Sequence, residues 1–564
     1  MRGPATLLYG SSAVGGVVNV LQDTIPTVRN DRPLDGSLDL FGGSVSDYWG
    51  GRAAVKTGTG PLVVHADFSR RETGDHDIPG FAESDVLREL EEAEHEGEEH
   101  EDEEGEEAFG TLPNSAVEST GASVGVALVG APGFIGASFG GFDTLFGIPG
   151  GGHAHGGEEE HEGEDGEPEE GEEGPIRSDL RQRRVDVRGE ATEPFRGFRA
   201  AKVRFGYADY EHNELEGDEI GTRFTNDAWE GRLELVHRPW GAAAGSFGLQ
   251  LGRRELEAIG AEAFLPPTTT DSWALFAFEE VGQGPWRLQL GARYEDQTVE
   301  AFGADPQARS FSGFTGSIGT TWSGDGGWGA GLTLARSARL PNAAELFSDG
   351  PHVATRAFEI GDPDLEQETS WGVDLSLGKR EGPVTARLDL FANRFDGYIY
   401  EAFTGEVEDG LDVIRFVQAD SEFLGAELQG TVDLVHRGSR HLDFEVIADY
   451  VRAELRTTGK PLPRIPPFRW GAGLHYRDER WTGRLELRGT AEQDRIAENE
   501  LATDGYTFLN ASVGYRFFAG RTVYDVTLRG TNLTDAESRN HVSFLKDTVP
   551  LPGRDVRLAL RVTF

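Results

Sequence analysis

Val556-Arg-Leu-Ala-Leu-Arg-Val-Thr-Phe564 sets Val556, Leu558, Leu560, Val562 and Phe564 on one face of an extended chain. Arg557, Arg561 and Thr563 fall on the other. The period is two, which is the period of a half-buried strand. Trp481 to Gly489 repeats it, with Trp481, Leu485 and Leu487 opposed to Thr482, Arg484, Glu486 and Arg488. Trp371, Val373, Leu375 and Leu377 likewise oppose Asp374 and Ser376. The alternation recurs through nearly the whole chain after residue 35. Strands of about ten residues, apolar on one side and charged on the other, suit a barrel with lipid outside and water inside. Stacked β-sandwiches alternate in the same way, so the pattern alone leaves both open.

Connection lengths separate the two. The alternating runs number about 22, an even count as bacterial barrels need. Counted from the strand near residues 35–45, connections leaving even strands are short: Gly58 to Pro61, Gly130 to Gly133, Gly282 to Pro285, Ser323 to Gly327, Lys379 to Pro383 and Phe518 to Arg521. Those leaving odd strands are mostly long: 72–120, 143–181, 211–227, 255–271, 338–369, 491–505 and 531–555. Short turns on one rim and long loops on the other form the outer-membrane pattern, with the long loops outside the cell. A sandwich has no reason to keep that parity. Trp229, Trp240, Trp273, Trp286, Trp322, Trp328, Trp470 and Trp481 fall at or near predicted strand ends, where the two membrane interfaces favour indole rings. The fold class expected is therefore all-β, a transmembrane antiparallel β-barrel spanning residues 35–564.

Composition agrees with this and excludes other classes. The 564 residues hold no cysteine and one methionine, and the net charge is −45. No disulfide or thiolate metal site is available. So acidic a chain does not bind nucleic acid, which needs a basic face. The 22 residues Gly121 to Phe142 carry no charge and imitate a membrane helix in length. Seven glycines and Pro132 argue against a helix, so two strands meeting at Ala131-Pro132-Gly133 are expected.

The first residues read Met1-Arg-Gly-Pro-Ala-Thr-Leu-Leu-Tyr-Gly-Ser-Ser-Ala-Val-Gly-Gly-Val-Val-Asn-Val20. This resembles the last stretch of the plug domain of TonB-dependent outer-membrane receptors. Thr531-Asn-Leu-Thr-Asp535 resembles the family's penultimate loop, and the strand ending at Phe564 resembles its final aromatic strand. The resemblance covers essentially the whole chain. It implies a Gram-negative outer-membrane location, energy-coupled import and coupling to the TonB-ExbB-ExbD complex, with outer-membrane lipid around the wall. Residues 1–25 then read as the C-terminal remnant of the plug. Arg2-Gly-Pro4 follows Met1 without the apolar run of a leader. The expectation is that the natural start lies upstream, and that residues 1–564, without a full plug and coupling segment, would not support TonB-driven uptake.

A narrower resemblance is to the zinc-uptake branch of that family. It rests on Gly350-Pro-His-Val-Ala-Thr-Arg-Ala-Phe-Glu-Ile-Gly361, on Arg539-Asn-His-Val-Ser-Phe-Leu-Lys-Asp547 followed by Pro550-Leu-Pro-Gly-Arg554, and on a His/Glu-rich loop after Phe146-Gly-Ile-Pro-Gly150.

Two tracts could carry metal chemistry. Glu89 to Glu107 holds 13 acids, and His153 to Glu173 holds 11, neither with any Lys or Arg. By strand parity both lie in long outward loops. Histidines interrupt them at His95, His100, His153, His155 and His161. Imidazole nitrogen beside carboxylate oxygen suits Zn²⁺, and also Ni²⁺, Co²⁺ or Cu²⁺. The competing reading is a solvated acidic brush that only keeps the surface hydrophilic. The five histidines favour loose, exchangeable metal capture. A tighter site is expected lower, where barrel and plug meet, with His352 and His541 as candidate ligands and Glu345 and Glu359 as weaker ones. No catalytic constellation is present: no nucleophile elbow and no HExxH motif. No tightly bound cofactor is expected, and the zinc ion would be cargo. The readings left are import of a metal ion, zinc first; import of a metal chelate such as a siderophore or haem by the same class; and a surface barrel or adhesin without transport.

Overall fold

The computed structural model describes residues 23–95, 108–150 and 175–564, apart from 31, 218, 261, 353 and 409, together with 7, 10 and 18. Twenty-two strands, each antiparallel to its neighbour, run from Leu34–Gly43 to Asp555–Thr563. First and last strands pair, with Leu38 opposite Val562 and Leu40 opposite Leu560, and so close the barrel. Closure removes the open edges that would otherwise leave backbone groups unpaired in lipid. Phe564 finishes the seam: its N–H donates to the Gly36 carbonyl and its carbonyl accepts from Gly36, both at 3.0 Å. At the other end of the seam, one oxygen of Asp555 accepts from Ser44 and Val45 N–H, and the Tyr48 hydroxyl donates to the other at 2.8 Å.

Alternation sets which side is wet. Leu485, Leu487, Leu558 and Leu528 point out and stay exposed for lipid. Between them, ion pairs step from strand to strand along the lumen. Arg484 bridges Glu445 and Glu486, Arg516 meets Asp525, and Arg561 meets Asp39. Opposite charges across neighbouring strands support the pairing register.

The short turns are where the sequence places them. Gly60 (φ 59°) and Gly284 (φ 60°) occupy the left-handed region, each just before a proline, and reverse the chain in two residues. The uncharged run 121–142 is the facing strands Val117–Gly130 and Gly133–Gly147.

Two of the expected long loops need correction. Strands Phe198–Glu216 and Glu219–His237 pair right up to Glu216 opposite Glu219, so 211–227 is a tall hairpin. The loop expected at 255–271 contracts to the segment between Gly260 and Thr268. Above the membrane the outer face has no lipid to meet, so a run such as Tyr210-Glu-His-Asn-Glu214 keeps its strand pairing without the apolar face that betrays a strand. The tryptophans show the same height. Trp240, Trp286, Trp328 and Trp481 mark the short-turn rim. Trp49, Trp229 and Trp371 stand about eight to ten residues up their strands, at the second interface. Trp229 and Trp273 are therefore within strands that continue outward beyond the lipid, rather than at their ends.

Residues 23–30 follow the plug-like stretch and press on the inner wall near the short-turn rim. Ile25 is buried against Val63, Ala127 and Val129, with Phe134 beside them, and Arg29 Nε donates to the Val129 carbonyl at 2.8 Å. Gly125 allows this approach, because a Cβ there would collide with the Thr24 carbonyl. Gly125→Val is expected to leave the barrel closed, since valine suits a strand, but to lift residues 23–30 off the wall. Trypsin should then cut at Arg29 at least tenfold faster than in the unmodified chain. Unchanged cleavage at that residue would show that the contact does not hold the segment.

Candidate functional site

The long-loop rim is a set of interlocked segments. At its centre Arg539 is buried and donates to backbone carbonyls from two loops: Phe81, Ala82 and Glu83 on one side, Lys546 and Asp547 on the other, at 2.6–3.3 Å. Its two terminal nitrogens, held in one plane, fan across both sets of carbonyls, and Nη2 also meets Glu537 at 3.2 Å. Ser84 N–H donates to the Asp547 carbonyl beside it, and the Ser84 hydroxyl accepts from Leu87 N–H. Ser84 thereby caps helix Asp85–His95, which carries the start of the first acidic tract.

The segments that lead into and out of the second tract are fixed beside the loop of the first. Ile148 N–H donates to the Ile176 carbonyl at 2.9 Å and closes the tract at its feet. Asn114, from the loop of the first tract, donates its amide to the carbonyls of both Ile148 and Ile176, at 2.9 and 2.7 Å. The bases of the two tracts are therefore bound to each other. His95 ends the described helix. His100, His153, His155 and His161 lie outside the described residues.

His541 sits in the Arg539 loop and is almost wholly buried. Its Nδ1 is 3.0 Å from Thr503 Oγ1 and its Nε2 is 3.4 Å from Glu500. Glu500 also accepts from the N–H groups of Arg464 and Ala497. Burial pushes the Glu500 carboxyl up, but the His541 ring and those two N–H groups together hold it below the usual carboxylate range. His352 Nδ1 is 2.7 Å from Glu359, which also accepts from the Thr355 hydroxyl, and the His352 ring stacks on Phe264 at 4.1 Å. Glu345 is paired with Arg339 and reaches back to Asn342 N–H in a capping box at the start of the short helix Ala343–Phe347. Burial raises the Glu345 carboxyl in spite of that arginine.

His352 and His541 thus each have a carboxylate of their own, Glu359 and Glu500, and share no partner. Both lie among the long loops, and not at the lower position expected for a transfer site. The lumen cavity of about 540 Å³ that Leu7 enters is lined by Arg339, Glu345 and Glu368 instead. As the side chains stand, no three His, Asp or Glu among the described residues converge on one metal position.

Sequence reading passed over His212 and Glu214, which lie two apart on the inner face of the tall hairpin, 3.9 Å from each other, with His212 stacked on Phe224 at 4.4 Å. Their i, i+2 spacing was the available signal. It passed over Arg539 as well, whose role lies in carbonyls distant in sequence.

The family description "TonB dependent receptor-like, beta-barrel" matches residues 139–533. Among solved structures, the chain superposes on the copper transporter OprC with a TM-score of 0.77 at 16% identity, covering 96% of this chain and 81% of that one. It superposes on the FrpB iron transporter from Neisseria meningitidis with a TM-score of 0.71 at 14% identity, covering 95% and 83%. For the siderophore receptor PirA from Pseudomonas aeruginosa the values are 0.66 and 16%, covering 100% and 86%. At these identities the likeness is one of fold. Taken with the closed barrel and the family match over most of its length, it places the chain in the TonB-dependent receptor family, the outer-membrane receptors and transporters of Gram-negative bacteria that work with TonB.

Proposed function

We propose that this receptor imports a metal ion, zinc first, captured by its two acidic, histidine-bearing tracts and driven inward through TonB with ExbB and ExbD. The observation that carries this reading is the Asn114 bridge, which roots both tracts at one point of the outer mouth. Tracts that leave the wall from one point would, on this reading, act as a single acidic, histidine-bearing mouth. Dense negative charge there raises the local cation concentration, and imidazole nitrogen selects borderline metals such as Zn²⁺ over Ca²⁺ and Mg²⁺. The lack of cysteine, and of methionine in these loops, disfavours Cu(I).

The test is metal accumulation in cells lacking their own zinc uptake, supplied with the whole gene product, with and without TonB. Zinc accumulation that requires TonB is the expected result. Rescue on a ferric siderophore or haem, with no zinc accumulation, would overturn the zinc assignment and favour the chelate reading. No accumulation of any cargo would favour a surface barrel.

A further inference from the structure

The short-turn mouth, opposite the capture loops, brings together side chains of types that can ligate a metal, although as they stand they do not converge on one position. It lies in the hairpin formed by strands Leu411–Arg437 and Arg440–Leu455. His436 and His441 are direct cross-strand partners, and so are Asp433 and Asp443. The two imidazole rings meet edge to face with centroids 4.3 Å apart, and His436 Nδ1 is 3.3 Å from Asp433. Phe444 and Leu474 point to lipid, so alternation turns His441, Asp443 and its neighbour-strand partner His475 into the lumen. A register shift between Asp433 and Val435 brings His436 to that same side. Arg437 and Arg440, also partners, fall on the opposite side, while Arg477, the cross-strand partner of His441 on the next strand, shares the lumen side.

Two features point to a cation at this mouth. Asp433 and Asp443 face each other directly, and like charges in that relation repel. The Asp433 Oδ1 atom is buried and has no hydrogen-bond partner among the described residues. A bound cation would answer both. Directly opposed histidines in an antiparallel pair have Cβ atoms roughly 4.5–5.5 Å apart, close enough for both rings to reach one ion at about 2.0–2.1 Å. The rings now meet edge to face, so ligation requires the largely exposed His436 ring to turn.

We propose that His436 and His441, with Asp433 and Asp443, form a divalent-metal site of the zinc class at the periplasmic mouth, which an imported ion meets as it leaves the lumen. The role as an exit station rests on the import reading above; the site itself does not. The ligand set is mixed nitrogen and oxygen, and it lies on the periplasmic side, where short turns belong. The His436 ring is largely exposed while its companions are half-buried, so binding there would be exchangeable.

The experiment is a Zn²⁺ titration by calorimetry on the full chain in detergent, in a background where His95, His100, His153, His155 and His161 are Gln. Adding His436→Gln and His441→Gln is expected to weaken the remaining Zn²⁺ binding at least tenfold. Both residues are near the exposed tip of a turn. Heat-modifiable mobility on gels checks that the barrel remains folded, and Asp433→Asn with Asp443→Asn serves as a second variant should the first misfold. Co²⁺ absorbance provides an independent readout and should lose its ligand-field bands in either variant. Unchanged zinc affinity and unchanged cobalt spectra would overturn the site. Should the five-Gln background lose nothing relative to the unmodified chain while the His436/His441 variant does, the capture reading falls and this site stands.

Discussion

Replacing His95, His100, His153, His155 and His161 together by Gln is expected to weaken Zn²⁺ binding by the outer loops at least about tenfold, equivalent to roughly 1.4 kcal/mol. Glutamine keeps polarity and leaves the charge of the neutral ring unchanged, but it removes the ligand nitrogen. Binding in the unmodified chain should also fall as pH drops from about 7.5 to 5.5. Free imidazole titrates near 6.5, and a protonated ring cannot ligate. Most carboxylates stay ionised through that window, so the loss there belongs to histidine. Ca²⁺ meets only the carboxylates and should bind the variant and the unmodified chain alike, with little change over the same range. The comparison separates ligation from bulk charge. If Zn²⁺ affinity in the variant matches that of the unmodified chain, or shows no more pH dependence than Ca²⁺, the tracts are a charged brush. Zinc would then have to be recognised by His352, His541 or groups deeper in the lumen.

How much of the barrel and its mouth is legible without a structure follows from what a sequence records. The lipid face is written residue by residue, because each strand must present an apolar side to the bilayer. Val556 to Phe564 and Trp481 to Gly489 therefore reveal the barrel, and turn glycines such as Gly60 and Gly284 reveal its short rim. The run Tyr210 to Glu214 does not read as strand, because outside the membrane a wall strand loses that apolar side while keeping its hydrogen bonds. The mouth is legible only as residue types. His541 and His352 stand out through their segments, and Glu359 lies in the segment of His352, but the partners of His541, Glu500 and Thr503, are fixed by loop paths that no periodicity encodes. Arg539 is the extreme case. Its five carbonyl partners lie on backbone groups that every residue has, so nothing in the sequence marks them.

Arg539→Ala is expected to release the two loops from each other without unfolding the barrel. The substitution removes the donor of five carbonyls, those of Phe81, Ala82, Glu83, Lys546 and Asp547. A buried polar group left unpaired costs about 1–3 kcal/mol. The loops can avoid most of that by opening to water, so the cost appears as local opening. A net loss of about 3 kcal/mol would lower hydrogen-exchange protection in residues 82–88 and 537–547 by about a hundredfold. The strand ladder does not pass through Arg539, so amides of the wall and the thermal midpoint of the barrel should not move. Arg539→Lys should restore only part of the protection, because an ammonium offers three donors from a single point and cannot span both sets of carbonyls. The Ser84 cap depends on the same docking, since Ser84 also donates to the Asp547 carbonyl. Helix Asp85–His95 should therefore fray from its first turn in the alanine variant, and the base of the first acidic tract would lose its fixed place beside Asp547. Protection that is unchanged in both loops would mean that the remaining contacts, Ser84 to Asp547 and Gly553 to Asp77, suffice to hold the mouth together. In that case the buried arginine would be a filler of the interface and not its clamp.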